Sequence, residues 1–232
     1  MALVKFGGGV VGMSGSIAGN TFARNRYGSY VRARTKPVNP NSAMQQLVRN
    51  ALNNATTRWN NTLTAAQRTA WNLYGASVVM QNKLGENINL SGFNHYVRSN
   101  STLIREGHTP VDAGPTSFSL PDADGTFAIS VSEATNLIVI TFDDTAAWCD
   151  LADAYMFVYC GSPQNAAINF FAGPWKLAGS LDGSVGSPPS TGDSIAAPFV
   201  LTEGQHVWAY ARIALPDGRL SSPFRSDCAV AA

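Results

Sequence analysis

With 232 residues, 45% of them hydrophobic and 13% charged, the chain is long enough for two ordinary domains and apolar enough to bury a core. It has no run of about 18 apolar residues, which excludes a membrane-spanning helix. The formal net charge of +1 hides an asymmetry. Residues 1–106 hold twelve Lys/Arg against Glu86 and Glu106, a net +10; residues 107–232 hold four against thirteen Asp/Glu, a net −9. Two halves of opposite sign point to two surfaces with different partners, or to copies that meet head to tail.

The first nineteen residues are glycine-rich, carry only Lys5, and lack the apolar block and cleavage site of a signal peptide. They read as a poorly ordered or extended arm. Gly7-Gly8-Gly9-Val10-Val11-Gly12 satisfies G-x-G-x-x-G in letters. A dinucleotide loop also needs a preceding strand, a following helix and an acid some twenty residues on. Here the following pattern is β and residues 30–36 carry arginines, so a flexible arm is the expectation.

A three-stranded β-meander comes next, over residues 10–18, 21–27 and 30–36, with two-residue turns at Gly19-Asn20 and Gly28-Ser29. Such a turn pairs Tyr27 with Tyr30, Asn25 with Arg32 and Ala23 with Arg34, and on the other face Arg26 with Val31 and Arg24 with Ala33. Arginines then leave both faces, which suits insertion between neighbouring subunits, where guanidinium groups meet carboxylates or phosphates. Pro37 and Pro40 end the sheet.

Three helices follow. Ser42 with Gln45 and Thr64 with Gln67 have capping-box spacing, and Ser91 caps the third helix, which ends at Gly107. Met44, Leu47, Val48, Ala51, Leu52, Ala55 and Trp59 recur at the helical period, as do Ala70, Trp71, Tyr74 and Val78, and Phe93, Tyr96, Val97, Leu103 and Ile104. A turn around Gly85 separates the second helix from the third. The module 1–107 is thus a β-meander plus three helices.

Residues 108–125, rich in proline and glycine, read as a linker. Beyond them the period changes to two. Seven short strands are expected at 127–132, 137–142, 154–160, 170–181, 196–201, 206–215 and 224–230, the signature of a sandwich over 126–232. The expected fold class is α+β, with an all-β second module.

Val207-Trp208-Ala209-Tyr210-Ala211-Arg212-Ile213, followed by Pro216-Asp217-Gly218-Arg219-Leu220-Ser221-Ser222-Pro223, resembles strand F, turn and strand G of fibronectin type III domains. The resemblance covers about residues 120–232. It departs in the long 143–153 and 182–195 loops, and implies an immunoglobulin-like fold with an adhesive or spacer role. The first half is similar to small proteins encoded by bacteriophages and prophages. The shared residues are Gly15 to Gly28, Tyr30-Val31-Arg32, Pro37-Val38-Asn39-Pro40, Leu63 to Trp71 and Leu90-Ser91-Gly92-Phe93-Asn94. That likeness implies a phage association and no catalytic residues.

Candidate interaction residues are Arg24, Arg26, Tyr27, Tyr30, Arg32 and Arg34 on the hairpin, and Asp143, Asp144, Asp150 and Asp153 in one loop. The aspartates match no EF-hand spacing; they read as a solvated loop or as the receiver of a neighbour's arginine hairpin. No cofactor or metal is expected. The odd cysteines Cys149, Cys160 and Cys228 form no C-x-x-C and read as free buried thiols. His95, His108 and His206 form no ligand pair, and no nucleophile elbow occurs, so no enzyme is expected.

The expected function is that of a multi-copy virion structural protein, made in the host cytoplasm: capsid decoration, head–tail junction or tail accessory subunit. Its partners would be capsid, portal or tail subunits and further copies of itself. Two alternatives remain open. The basic half can bind nucleic acid through phosphate contacts and stacking. Otherwise the sandwich binds host glycans, with Trp148 and Trp175 as platforms.

Overall fold

The computed structural model describes residues 2–82 and 84–232. Met1, at the head of the expected arm, and Lys83, one of the twelve cations, lie outside the described residues. The fold class is α+β. Four strands come first, β1 (Ala2–Leu3), β2 (Gly15–Ile17), β3 (Asn20–Asn25) and β4 (Gly28–Ala33), in the order β1-β4-β3-β2. The sheet therefore has one strand more than the meander expected. Part of the arm is a strand: Ala2 and Leu3 pair with Val31 and Tyr30.

The hairpin turns differ from expectation too. Ile17 pairs with Asn20 and Asn25 with Gly28, so the turns are Ala18-Gly19 and Arg26-Tyr27. Asn25 makes the second one, because its side-chain oxygen accepts from the Tyr27 amide at 2.9 Å. Gly28, with φ 123°, opens β4 instead of sitting in the turn. The real partners are Ala23–Tyr30, Thr21–Arg32 and Arg24–Ser29. Because the register moved by an even number of residues, the side chains that stay in the paired strands keep their expected faces, while Arg26 and Tyr27 move into the turn.

The helices α1 (Ala43–Asn61), α2 (Ala65–Ser77) and α3 (Gly92–Glu106) start at the caps read from sequence. Ser42 and Ser91 accept from the amides of Gln45 and Asn94, and Thr64 with Gln67 forms a complete capping box. Gly107 ends α3 in the left-handed conformation, φ 84°. Between α2 and α3 lies a small hairpin, β5 (Val79–Gln81) with β6 (Asn87–Asn89), where only a turn was expected.

Ala55, Leu63, Trp71, Tyr74, Val78 and Tyr96 form the core of this module. Helices α2 and α3 meet closely at Gly75 and Gly92. A Cβ on Gly92 would lie 2.5 Å from the Asn72 amide nitrogen, and one on Gly75 2.6 Å from the Leu90 carbonyl oxygen. Neither neighbour can rotate away, since both are backbone. Gly92→Ala should therefore cost about 1–3 kcal/mol by forcing the helix ends apart. A lowered urea midpoint would report it, while Gly125→Ala, which enters open space, should stay within about 0.5 kcal/mol.

The second module is one seven-stranded sheet in the order β10-β9-β12-β13-β7-β8-β11. Its strands are β7 (Ala128–Ser132), β8 (Leu137–Thr141), β9 (Tyr155–Gly161), β10 (Trp175–Asp182), β11 (Ser194–Ala196), β12 (His206–Ala214) and β13 (Phe224–Ala231). All pairs are antiparallel except β13 with β7. The sheet doubles over, so that the end strands β10 and β11 approach, with a Cβ on Gly179 only 2.9 Å from Ile195. One face encloses a core that includes Ile138, Ile140, Met156, Val158, Val207 and Ala209. The fifth strand is displaced from expectation: β11 ends at Ala196, where a strand over 196–201 was expected to begin.

The two modules are packed together. Leu103 of α3 joins Tyr155, Phe157, Leu177, Ala214 and Leu220 in a shared apolar cluster on the sheet's other face. Arg98 donates from Nη1 to the Leu220 carbonyl at 2.8 Å and from Nη2 to that of Ser221 at 2.6 Å. Burial, with Arg212 nearby, draws the Arg98 pKa down to about 10, so the group stays charged. Thr102 and Tyr159 share a hydroxyl–hydroxyl bond of 3.0 Å.

The first part of the expected linker is a strap laid along the helices. Asn100 holds Val111 at both backbone atoms, accepting from its amide at 2.6 Å and donating to its carbonyl at 3.1 Å. Asp112 receives Arg58 through two bonds, 3.3 Å from Nε and 2.5 Å from Nη2, and the Tyr96 hydroxyl at 2.9 Å. The Asp112 carbonyl accepts from the Trp71 indole at 3.1 Å.

Candidate docking surface

None of residues 2–50 is buried; the first buried side chain in the described chain is Ala51. A sheet normally needs a second layer over one face, and a helix a cover for its apolar stripe. Here that layer is missing. Met44, Leu47, Val48 and Leu52 run along the first turns of α1 at helical spacing and are each 42–52% exposed. Val11 is 98% exposed, and Val10, Ile17 and Val38 are exposed as well. Of the α1 stripe only Ala51, Ala55 and Trp59 turn into this chain's core, Trp59 with its ring 5.4 Å from that of Tyr96.

The same segment is uniformly basic. Residues 1–85 contain no Asp or Glu at all. Arg24, Arg26, Arg32 and Arg34 are exposed, and none has a carboxylate partner among the described residues. Arg24 and Arg32 leave opposite faces of the hairpin, Arg26 sits at its tip, and Arg34 lies just past the end of β4. Tyr27 and Tyr30 are half-buried. Tyr27 anchors the tip, its hydroxyl accepting from the Asn94 side chain of α3 at 2.9 Å. Lys5 pairs with Glu86 and ties the arm to the β5–β6 hairpin. The tip thus has a fixed seat while its arginines stay free.

Asp143, Asp144, Asp150 and Asp153 are also exposed, and no cation pairs with them among the described residues. Three of them accept hydrogen bonds, and only Asp143 caps a local turn. Asp143 accepts from the Thr145 hydroxyl at 2.6 Å and its amide at 3.0 Å, which holds the carboxyl below its usual range. Asp144 accepts from the Thr191 amide at 3.2 Å, and Asp153 from the Tyr155 hydroxyl at 3.3 Å. The described residues contain no group of three His, Cys, Asp or Glu fit to hold a metal ion.

Sequence reading missed the setting of Asp143. It borders an open cleft of about 580 Å³ between residues 119–126 and the sandwich, together with Asp122 and Asp124. Leu120, Trp148 and Ile213 supply apolar wall. The cleft's one guanidinium, Arg219, is already bound to Asp217 at 2.6 Å. These carboxylates lie some twenty residues apart, so no spacing rule could have joined them.

The remaining candidates have structural settings. Gly7–Gly12 is an exposed irregular stretch between two strands, without the helix that a phosphate loop requires. The three cysteines are free, and burial pushes their thiols up to about 11 for Cys149, 12 for Cys160 and 11 for Cys228. At neutral pH they are protonated and unreactive. Trp148 is buried rather than a platform. Trp175 is half-buried on the sheet, edge-on to Phe171 and Tyr210, with Arg225 5.4 Å above its ring. Comparison with protein-family models, with curated proteins and with solved structures returned no match.

Proposed function

We propose that this protein is a non-enzymatic structural subunit of a bacteriophage particle, a capsid decoration, head–tail junction or tail accessory protein, that docks through residues 2–50. One observation carries the docking role. Forty-nine residues are spent on a sheet and the first turns of a helix, yet the rest of the chain buries none of them. Exposed apolar side chains and arginines without carboxylate partners among the described residues, gathered in one segment, are the chemistry of an interface rather than of a free surface. The phage assignment rests on the likeness of the Gly15–Gly28 and Leu63–Trp71 segments to phage-encoded proteins.

The second module is read as an immunoglobulin-like domain of fibronectin type III kind. Its strand order supports this: β7, β8 and β11 make one layer, and β10, β9, β12 and β13 the other. In that reading the sandwich projects from the particle, or bridges to a neighbour, while residues 2–50 make the docking contact. Mass spectrometry of purified virions tests the proposal. Recovery in stoichiometric amounts is the expected result, and absence from intact particles sinks it.

A further inference from the structure

We infer that the basic sheet of one copy docks in the acidic cleft of a second copy, so that chains associate head to tail. The inference rests on residues 2–50 being a docking module, and it names their partner. An acidic surface is needed, because those residues carry seven cations and no acid. Some apolar wall is needed too, for Val10, Val11 and Ile17. The chain's own second half offers both in one place. Asp122, Asp124 and Asp143 line the cleft beside Leu120, Trp148 and Ile213, and its only guanidinium is occupied by Asp217.

Within one chain the two surfaces do not meet. Tyr27 and Lys5 hold the sheet on the helical module through Asn94 and Glu86, while Arg24, Arg26, Arg32 and Arg34 find no carboxylate. The complement must therefore come from another molecule, and the net charges of +10 and −9 on the two halves favour an identical one. A contact between unlike surfaces of identical chains closes into rings or extends into filaments.

Sedimentation velocity on the full chain, at several protein concentrations and in low and high salt, tests this. Wild type should associate at low salt and dissociate as salt screens the charges. Two variants separate the halves of the contact. One carries R24E, R26E, R32E and R34E. The other carries D122K with D124N and D143N, since asparagine keeps the oxygen that caps the turns at Thr126 and Thr145 and gives up only the bond from the Asp143 amide to the second Asp124 oxygen. Each should be monomeric alone. An equimolar mixture should form dimers and nothing larger, because one intact basic sheet and one intact cleft remain between the two.

Thermal melts confirm that both variants fold; should the triple substitution fail to, D122K alone replaces it. A wild type that is monomeric at every concentration in low salt overturns the inference. So do variants that associate like wild type, or a mixture that does not cross-associate. Binding of wild type to a mixed-sequence oligonucleotide, lost in the arginine variant while the chain stays monomeric, also overturns it and favours nucleic acid. The virion test is independent. A monomer found in particles defeats head-to-tail association alone, and an associating chain absent from particles defeats the particle role alone.

Discussion

Trp71→Ala is expected to cost about 3–5 kcal/mol, the range for removing a fully enclosed tryptophan, and to loosen both modules together. Trp71 has no exposed surface. Its ring stands edge-on to Tyr74 and Tyr96, with centroids 5.9 and 5.5 Å away, and its nitrogen donates to the Asp112 carbonyl. On the far side it reaches the second module: a Cβ on Gly218 would lie 2.9 Å from the ring. Truncation leaves a cavity, orphans a strap carbonyl and removes the support of the Leu215–Gly218 turn. At about 2–4 °C per kcal/mol for a chain of this length, the melting temperature should fall by roughly 10 °C. Phe118→Ala, at a position 46% exposed, is the control and should change stability by less than about 0.5 kcal/mol. Hydrogen exchange should speed up on both sides of the module junction. Faster exchange confined to the helices would show that the two modules do not share Trp71.

Acidification from pH 7 to pH 4 should remove roughly 3 kcal/mol through His95 alone. The imidazole is fully buried on α3 and edge-on to Tyr74, and neither ring nitrogen has a hydrogen-bond partner among the described residues. Burial, with the Arg98 charge nearby, lowers its pKa from 6.5 to about 4. In the folded chain it stays neutral, whereas in the unfolded chain it takes up a proton below about pH 6.5. The unfolded state therefore binds more protons between those two values, and stability is lost as pH falls from 6.5 towards 4. Below about 4 both states are protonated and this loss stops growing. His95→Phe fills a similar space without the orphaned nitrogens, and should flatten the stability profile across that window. Urea titrations at a series of pH values give the comparison. Parallel losses in wild type and variant would assign the acid sensitivity to other groups.

The helices and the second sheet were largely legible in the sequence because their signals are local. Ser42, Thr64, Ser91 and Gly107 mark helix ends through bonds to residues three or four positions away. Alternation in β7 and the apolar, β-branched and aromatic runs of β8, β9, β12 and β13 mark strands to within a residue or two. The hairpin turn was misplaced because Gly28 offers a positive φ wherever it stands, while the Asn25 side chain, a weaker signal, decides the turn. Strand β1 was hidden because only two residues pair. The strap was hidden for a different reason: Asn100 and Trp71 grip the backbone of Val111 and Asp112, and backbone bonding leaves no mark on composition. Proline and glycine read as looseness where the chain is held. The four hairpin arginines are legible in sequence as cations on one short hairpin, whereas the cleft is not, since it is assembled from residues 119–126, the 143–148 loop and β12.

The strap also fixes which stretch of the chain can be inherited as a unit. A break at Gly107, the end of the last helix, would strip Arg58, Tyr96, Asn100 and Trp71 of their partners in one stroke. A break beyond Gly114 and Pro115 would spare all four and leave exposed the face that α3 turns to the sandwich and the edge of Trp71 and Val111 that meets Gly218. Recombination that swaps the outward domain while keeping the particle-facing one would therefore be tolerated downstream of the strap. The natural seam of this protein lies several residues past the point where its secondary structure changes.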